Sequence, residues 1–348
     1  MSERRSAFPL PPELCYAIID ELRFDKCALS ACSLVCKSWV PRTRSLSFLD
    51  TLIRLRPSSI ESLCSLLESP NCTIIPYIRQ ISLLEPLAPK ELAVWERGIH
   101  LLDQILVRGR VALTRIILLG VPSHVVFESR LIDHLSPTLT YLDMNGGDIH
   151  YRNTEDLSGQ LQRILRCISS FTELEEAELT LRTYQSTVIQ PVQPVIFQKW
   201  TGTRLRKLKL DIPLNAFLPS LLVPGQVSWP GITHLYICIA SSPLNVEPDL
   251  LQAFFDTLCA GTLQHLFLYF MYQTVPVIDF SQFKALRSVS FCTYSSSRNG
   301  SRHQKIASSV STIRVPHAVE IYIADKYFQL PSSDDNLRWL YGKNREEW

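Results

Sequence analysis

Residues 205–210 read Leu-Arg-Lys-Leu-Lys-Leu, an apolar residue, two variable ones, an apolar one, a variable one and an apolar one. The last two leucines alternate with lysines and so share one face of a strand, while the first leucine anchors the turn leading in. The same six-residue pattern starts at Ile78 (IRQISL), Leu113 (LTRIIL), Leu139 (LTYLDM), Leu174 (LEEAEL), Ile232 (ITHLYI), Leu263 (LQHLFL), Leu286 (LRSVSF) and, less cleanly, Ala318 (AVEIYI). A single copy carries little weight in a leucine-rich chain, whereas nine copies spaced 23 to 35 residues apart, 30 on average, carry a fold.

Segments with apolar residues every third or fourth position lie between the copies, as in PKELAVWERGIHLLDQILVRG from Pro89, EDLSGQLQRILRCISSF from Glu155 and DLLQAFFDTLCAGT from Asp249. Strand then helix, repeated, predicts an α/β fold with a parallel sheet and helices on its outer face. The pattern resembles an irregular leucine-rich-repeat solenoid over residues 78–330, with the strands lining the concave face. It lacks a regular Asn after each strand, and NAFLPSLLVPGQVSWPG from Asn215 carries three prolines where a helix is expected. Residues 51–77 read as a linker of strand and helix capping the solenoid, and residues 331–348 as a C-terminal cap or tail.

With the apolar positions turned inward, the third, fifth and seventh residues of each copy face solvent. They include Gln80, Ser82, Arg115 and Ile117, then Tyr141, Asp143, Asn145, Glu176, Glu178, Lys207, Lys209 and Asp211, then His234, Tyr236, His265, Phe267, Tyr269 and Tyr322. Aromatic residues beside charges suit protein recognition. Tyr141, Asp143, Glu176, Glu178, Lys207, Lys209, His234, Tyr236, His265, Phe267 and Tyr269 are therefore the expected protein-binding surface. The competing reading is that a C-terminal segment with Trp339, Tyr341 and Trp348 folds over the aromatic residues as a cap.

The first fifty residues hold no copy of the pattern. In LPPELCYAIIDEL the prolines suit a helix start, and Leu14, Ile18 and Leu22 follow at a spacing of four. In DKCALSACSLVCKSW, Asp25 is a natural N-cap, and Leu29, Cys32, Val35 or Cys36, and Trp39 recur at three or four. Cys27, Cys32 and Cys36 have spacings unlike zinc pairs and no nearby His, so Cys32 and Cys36 are expected to pack on the stripe of Leu29 and Trp39. Pro41 is expected to end a third helix early.

LPPEL, Ile18, Ile19, Leu22 and LSACSLVCKSW make residues 8–50 resemble an F-box, a short helical module. The resemblance implies docking on a Skp-type adaptor, and through it on a cullin, by Leu10, Pro11, Glu13, Leu14, Ile18, Leu22, Leu34, Lys37 and Trp39. Proteins joining an F-box to leucine-rich repeats commonly serve as substrate receptors of SCF-type ubiquitin ligases, so an unknown protein substrate is the further partner expected. A module this small is marginal alone, and an apolar side for a partner fits that.

A formal charge of +2 over 348 residues, without a run of Lys or Arg, disfavours nucleic acid. No stretch approaches 18 consecutive apolar residues and no signal peptide stands at the start, which points away from a membrane and toward the cytoplasm or nucleus. Ten irregularly spaced cysteines then read as reduced. Glycine-rich phosphate loops, H-E-x-x-H and G-x-S-x-G are absent, so no cofactor, metal or catalytic residue is expected. Glu175, Glu176 and Glu178 read as a solvated strand face, and the scattered histidines as surface or packing residues. The alternatives are a repeat scaffold without a ubiquitination role and, remotely, a thiol-dependent enzyme with a low-pKa cysteine.

Overall fold

The computed structural model describes residues 10–49, 51–70, 72–84, 89–108, 111–120, 134–135, 137–148, 164–182, 204–212, 214–225, 227, 229–239, 248–258, 261–271, 275–294, 300–324 and 337–341. Three short helices open the chain: α1 (Pro12–Glu21), α2 (Lys26–Val35) and α3 (Val40–Leu49). Pro12 takes the first position of α1, where its missing N–H has no helical partner to lose. Asp25 caps α2 by accepting from the Ala28 N–H at 2.9 Å. The Asp20 carboxylate takes two bonds from the Arg42 guanidinium, at 2.6 and 2.5 Å, tying α1 to α3.

Two expectations about this segment need correction. Pro41 is the second residue of α3 rather than the end of a helix, standing in the first turn, where an N–H donor is not used. The cysteine stripe does not pack: α2 stops at Val35, Cys36 is extended at φ −150° and ψ 139°, and Lys37–Trp39 form a separate 3₁₀ turn. The break turns Cys36 into solvent and leaves Cys32 half-buried, with Leu29 as the buried residue of α2.

Eleven strands follow, each parallel to the one before it in the chain: β1 (Leu52–Leu55), β2 (Gln80–Leu84), β3 (Arg115–Leu119), β4 (Tyr141–Asp148), β5 (Glu176–Arg182), β6 (Lys207–Asp211), β7 (His234–Ile239), β8 (His265–Met271), β9 (Ser288–Tyr294), β10 (Val319–Ala324) and β11 (Leu337–Tyr341). All nine pattern copies supply strands, β2 to β10, while β1 and β11 extend the sheet beyond them. Because β11 pairs edge to edge with β10, Trp339 and Tyr341 belong to the sheet's last strand and their backbone does not lie over β7 and β8. Trp348 lies outside the described residues.

Register places the fourth and sixth residues of each copy in two continuous buried rows. Ile81, Ile116, Leu142, Ala177, Leu208, Leu235, Leu266, Val289 and Ile321 make one, and Leu83, Leu118, Met144, Leu179, Leu210, Ile237, Leu268, Phe291 and Ile323 the other. The first apolar residue of eight copies is also buried. Ala318 is the exception and stays exposed.

The helices labelled between strands are α4 (Pro57–Glu68), α5 (Pro89–Arg108), α6 (Leu214–Leu221), α7 (Pro248–Leu258) and α8 (Gly300–Val310), and residues 164–170 are helical as well. The proline-rich segment still forms a helix, but α6 has only 8 residues with Pro219 inside it, against 20 in α5. Behind β7 to β9 the core is aromatic: Trp229 meets Phe254 edge-on at 6.3 Å, and Phe280 meets Phe283 at 5.3 Å and Phe291 at 6.4 Å.

Helix α5 lies so close to α4 that Gly98 has no room for a side chain. A Cβ there would sit 3.0 Å from Ile60 Cδ1 and closer still to its Cγ2, and Ile60 is fully buried. Gly98→Ala should lower stability in urea titrations by about 1–2 kcal/mol, since overpacking outweighs the gain of about 1 kcal/mol in helix propensity. In a double-mutant cycle with Ile60→Ala the two losses should sum to less than their separate values.

Candidate functional site

The residues of interest fall on two surfaces. On the N-terminal segment, Cys15, Ile19, Leu29 and Thr43 form the buried side. The Leu14, Ile18 and Leu22 stripe therefore points the other way: Leu14 is 52% and Ile18 50% exposed, and Leu22 is half-buried. Leu34 is 85% and Val35 68% exposed. Leu10, Pro11, Glu13 and Lys37 are exposed too, and Trp39 is half-buried. Sequence reasoning did not single out the exposed Tyr16 and Phe24, and it placed Val35 on the helical stripe with Leu29, whereas Val35 stands in solvent.

The Cys36 thiol on this segment is held below its ordinary range by hydrogen bonding to the Ser38 hydroxyl, 2.9 Å away, and to the Ser38 and Trp39 backbone N–H groups. Burial pushes the Cys64 thiol up to about 11. Among the described residues no three His, Cys, Asp or Glu side chains gather as a metal-binding group, and no helix is long and apolar enough to cross a membrane.

The second surface is the sheet face opposite the buried rows. Register aligns Arg115, Tyr141, Glu176, Lys207, His234 and His265 in one row, and Asp143, Glu178, Lys209, Tyr236 and Phe267 in the next, with Tyr269 beyond them. All eleven expected binding residues thus share one face. Six strands contribute to these rows, because parallel pairing in constant register puts equivalent positions side by side.

The contacts along the rows form a chain. Arg115 lies over the Tyr141 ring at 4.0 Å, and the Tyr141 hydroxyl donates to Glu178 Oε1 at 2.8 Å. Lys209 donates to Glu178 Oε2 at 2.7 Å and sits 5.4 Å from the Tyr236 ring centroid. Tyr236 stacks on Phe267 at 4.4 Å, and His234 stacks on His265 at the same spacing. Lys207 and Glu176 pair at 3.5 Å. Phe267, expected on the solvent side as an open aromatic, is 8% exposed because its neighbours stack on it, and Ser82, Ile117 and Asp211 on the same face are buried as well.

A cavity of about 350 Å³ opens on this face, lined by Glu176, Glu178, Lys207, Lys209, His234, Tyr236, Phe267, Tyr269 and Cys292 among others. Cys292 was missed by sequence reasoning, although it is the seventh residue of the copy at Leu286 and the register partner of Tyr269. Neither family models nor curated proteins match this chain.

Burial, with Glu178 next door, pushes the Asp143 carboxyl up to about 6. Burial also works against the Glu178 charge, but the hydrogen bonds from Lys209 and Tyr141 outweigh it and hold that carboxyl below its ordinary range. Burial, then His265 and Lys207, depress His234 to about 4, and burial with Arg287 lowers His265. Both histidines are therefore neutral at pH 7.

A carboxyl raised in the folded state favours folding fully below its unfolded value of 3.8, and that contribution is lost as pH rises toward 6. His234 acts oppositely, contributing above 6.5 and losing its contribution as pH falls toward 4. A difference measurement separates them: the stability of the native chain minus that of Asp143→Asn should fall between pH 4 and 6. Carboxyl NMR should place the Asp143 midpoint near 6 and move it downward in Glu178→Gln.

Proposed function

We propose that this chain is the substrate-receptor subunit of an SCF-type cullin ubiquitin ligase. Its N-terminal three-helix segment acts as an F-box that docks a Skp-type adaptor, and its sheet is the concave face of a leucine-rich-repeat solenoid that binds a protein substrate. The observation that carries this reading is the position of the large apolar side chains on α1 and α2. Leu14, Ile18, Leu34 and Val35 stand half or more exposed on a segment whose own core is only Cys15, Ile19, Leu29 and Thr43. Large apolar side chains left exposed on so small a unit are what a protein interface would cover. They coincide with positions where LPPEL and LSACSLVCKSW resemble an F-box.

In this reading the helical segment and the sheet divide the labour. Lys26 Nζ bonds Thr51 Oγ1 at 3.1 Å and Gln80 Nε2 bonds the Leu49 carbonyl at 3.1 Å, joining the docking unit to the first strands. In this reading a substrate held on the face is carried on the same chain as the adaptor-docking helices, which brings it near the transfer machinery.

Co-expression with a Skp-type adaptor and a cullin should yield a ternary complex in gel filtration. Leu34→Asp should weaken it about tenfold to a hundredfold without lowering the thermal midpoint, since burying such a side chain in a partner contributes about 1.5–3 kcal/mol and Leu34 is 85% exposed beforehand. A chain that stays monomeric beside folded adaptor would sink the reading. A complex in which no captured protein changes turnover under proteasome inhibition would leave a binding scaffold instead.

A further inference from the structure

The cavity on the sheet face has an uneven distribution of unused hydrogen-bonding capacity. Both Glu178 oxygens are engaged, Oε1 by the Tyr141 hydroxyl and Oε2 by Lys209. The lysines are not exhausted: an ammonium carries three donors, and Lys207 and Lys209 each direct one at a glutamate while remaining 53% and 41% exposed. Their glutamate partners are less accessible, at 34% and 25%. The charged half of the cavity is lined by Glu176 and Glu178 as well as by the two lysines, and its more exposed groups are the ammoniums. The other half offers aromatic rings, with Tyr236 stacked on Phe267 and Tyr269 on the same strand.

We propose that this cavity takes an extended peptide of a partner protein in which an Asp or Glu side chain lies two or three residues from an aromatic one. The carboxylate meets Lys207 and Lys209, and the ring lies against Tyr236 and Tyr269, which flank the covered Phe267. The proposal rests on the reading of this face as the substrate-binding surface and names its substrate class. The spacing follows from the sheet: β6 and β8 are two intervals apart, about 9.6 Å, while an extended chain advances about 3.3 Å per residue. A monoanion fits better than a phosphate. Phosphate recognition favours bidentate arginine, the nearby Arg115 is placed over Tyr141, and Glu176 and Glu178 beside the lysines would repel a dianion.

The test is fluorescence anisotropy on the whole chain with short capped peptides in a Gly-Ser background. The probes carry Ser-Glu-Ser-Phe, Ser-Lys-Ser-Phe, Ser-Glu-Ser-Gly or Ser-phosphoserine-Ser-Phe. The first should bind at least about tenfold more tightly than the second and third, weaken with added salt, and lose about fivefold or more in Lys207→Gln and Lys209→Gln. Lys207→Arg should retain binding, and the thermal melts of the variants report whether the fold persists. Equal binding of the basic peptide, binding of the phosphopeptide alone, or no binding by the first peptide to a folded chain overturns the proposal. Adaptor capture is scored in a separate assay, so loss of adaptor docking with retained peptide binding sinks the ligase reading and leaves this one standing.

Discussion

The backbone carbonyl of the residue just before a strand holds the next strand in place, and the rest of the structure depends on that arrangement. The carbonyls of Arg79, Thr114, Thr140, Glu175, Arg206, Thr233 and Gln264 each accept two N–H groups from the chain one strand further on, at 2.7 to 3.2 Å. A hydrogen bond contributes about 0.5–1.5 kcal/mol net, but a buried N–H left unpaired costs about 1–3 kcal/mol. A one-residue slip therefore loses the carbonyl ladder and exchanges the two faces of the strand together. Constant register is why Lys207 stands beside His234 and Lys209 beside Tyr236, and why the buried rows run unbroken through nine strands.

That constraint turns isolated side chains into a field. Tyr141, Glu178, Lys209 and Tyr236 come from four strands and would be strangers in the unfolded chain, yet hydrogen bonds and a cation over a ring link them. The same crowding shifts neighbouring groups in opposite directions. Glu178 holds its charge because donors reach it, while Asp143, one strand away, is left nearer neutrality by burial and by that charge. The lysines stay accessible because their long stems carry the ammonium groups past the glutamates.

The sheet was legible because the two apolar positions in each copy encode a buried face and the leading apolar residue marks the entry. Of the two outermost strands, β1 was readable only as the strand of a capping linker and β11 not as a strand, and their sequences show why. Aligned through register, the anchor position of β1 falls on Asp50 and that of β11 on Asn336, so the pattern is broken where a strand has a neighbour on one side only. The sharing of one face by Tyr236, Phe267 and their neighbours was readable by counting in twos. That Phe267 would be covered was not, since stacking depends on which residue the adjacent strand brings opposite it. In the first helices a spacing of four marked Leu14 and Ile18 as a stripe, but Cys15 and Ile19 satisfy the same spacing, and only the packing of α1 in the folded segment decides which pair is inside.

The separation of the two faces has a consequence for how recognition can change over generations. A residue pointing outward from β5 and one from β8 are three strand intervals apart, about 14 Å, and effects of substitutions at that distance add nearly independently. Neither touches the rows of Leu, Ile and Val that hold the strands together. Neighbouring strands are coupled by the contacts between their side chains, so specificity on this face can drift at positions several strands apart, each step altering a patch of the surface without asking the core to repack.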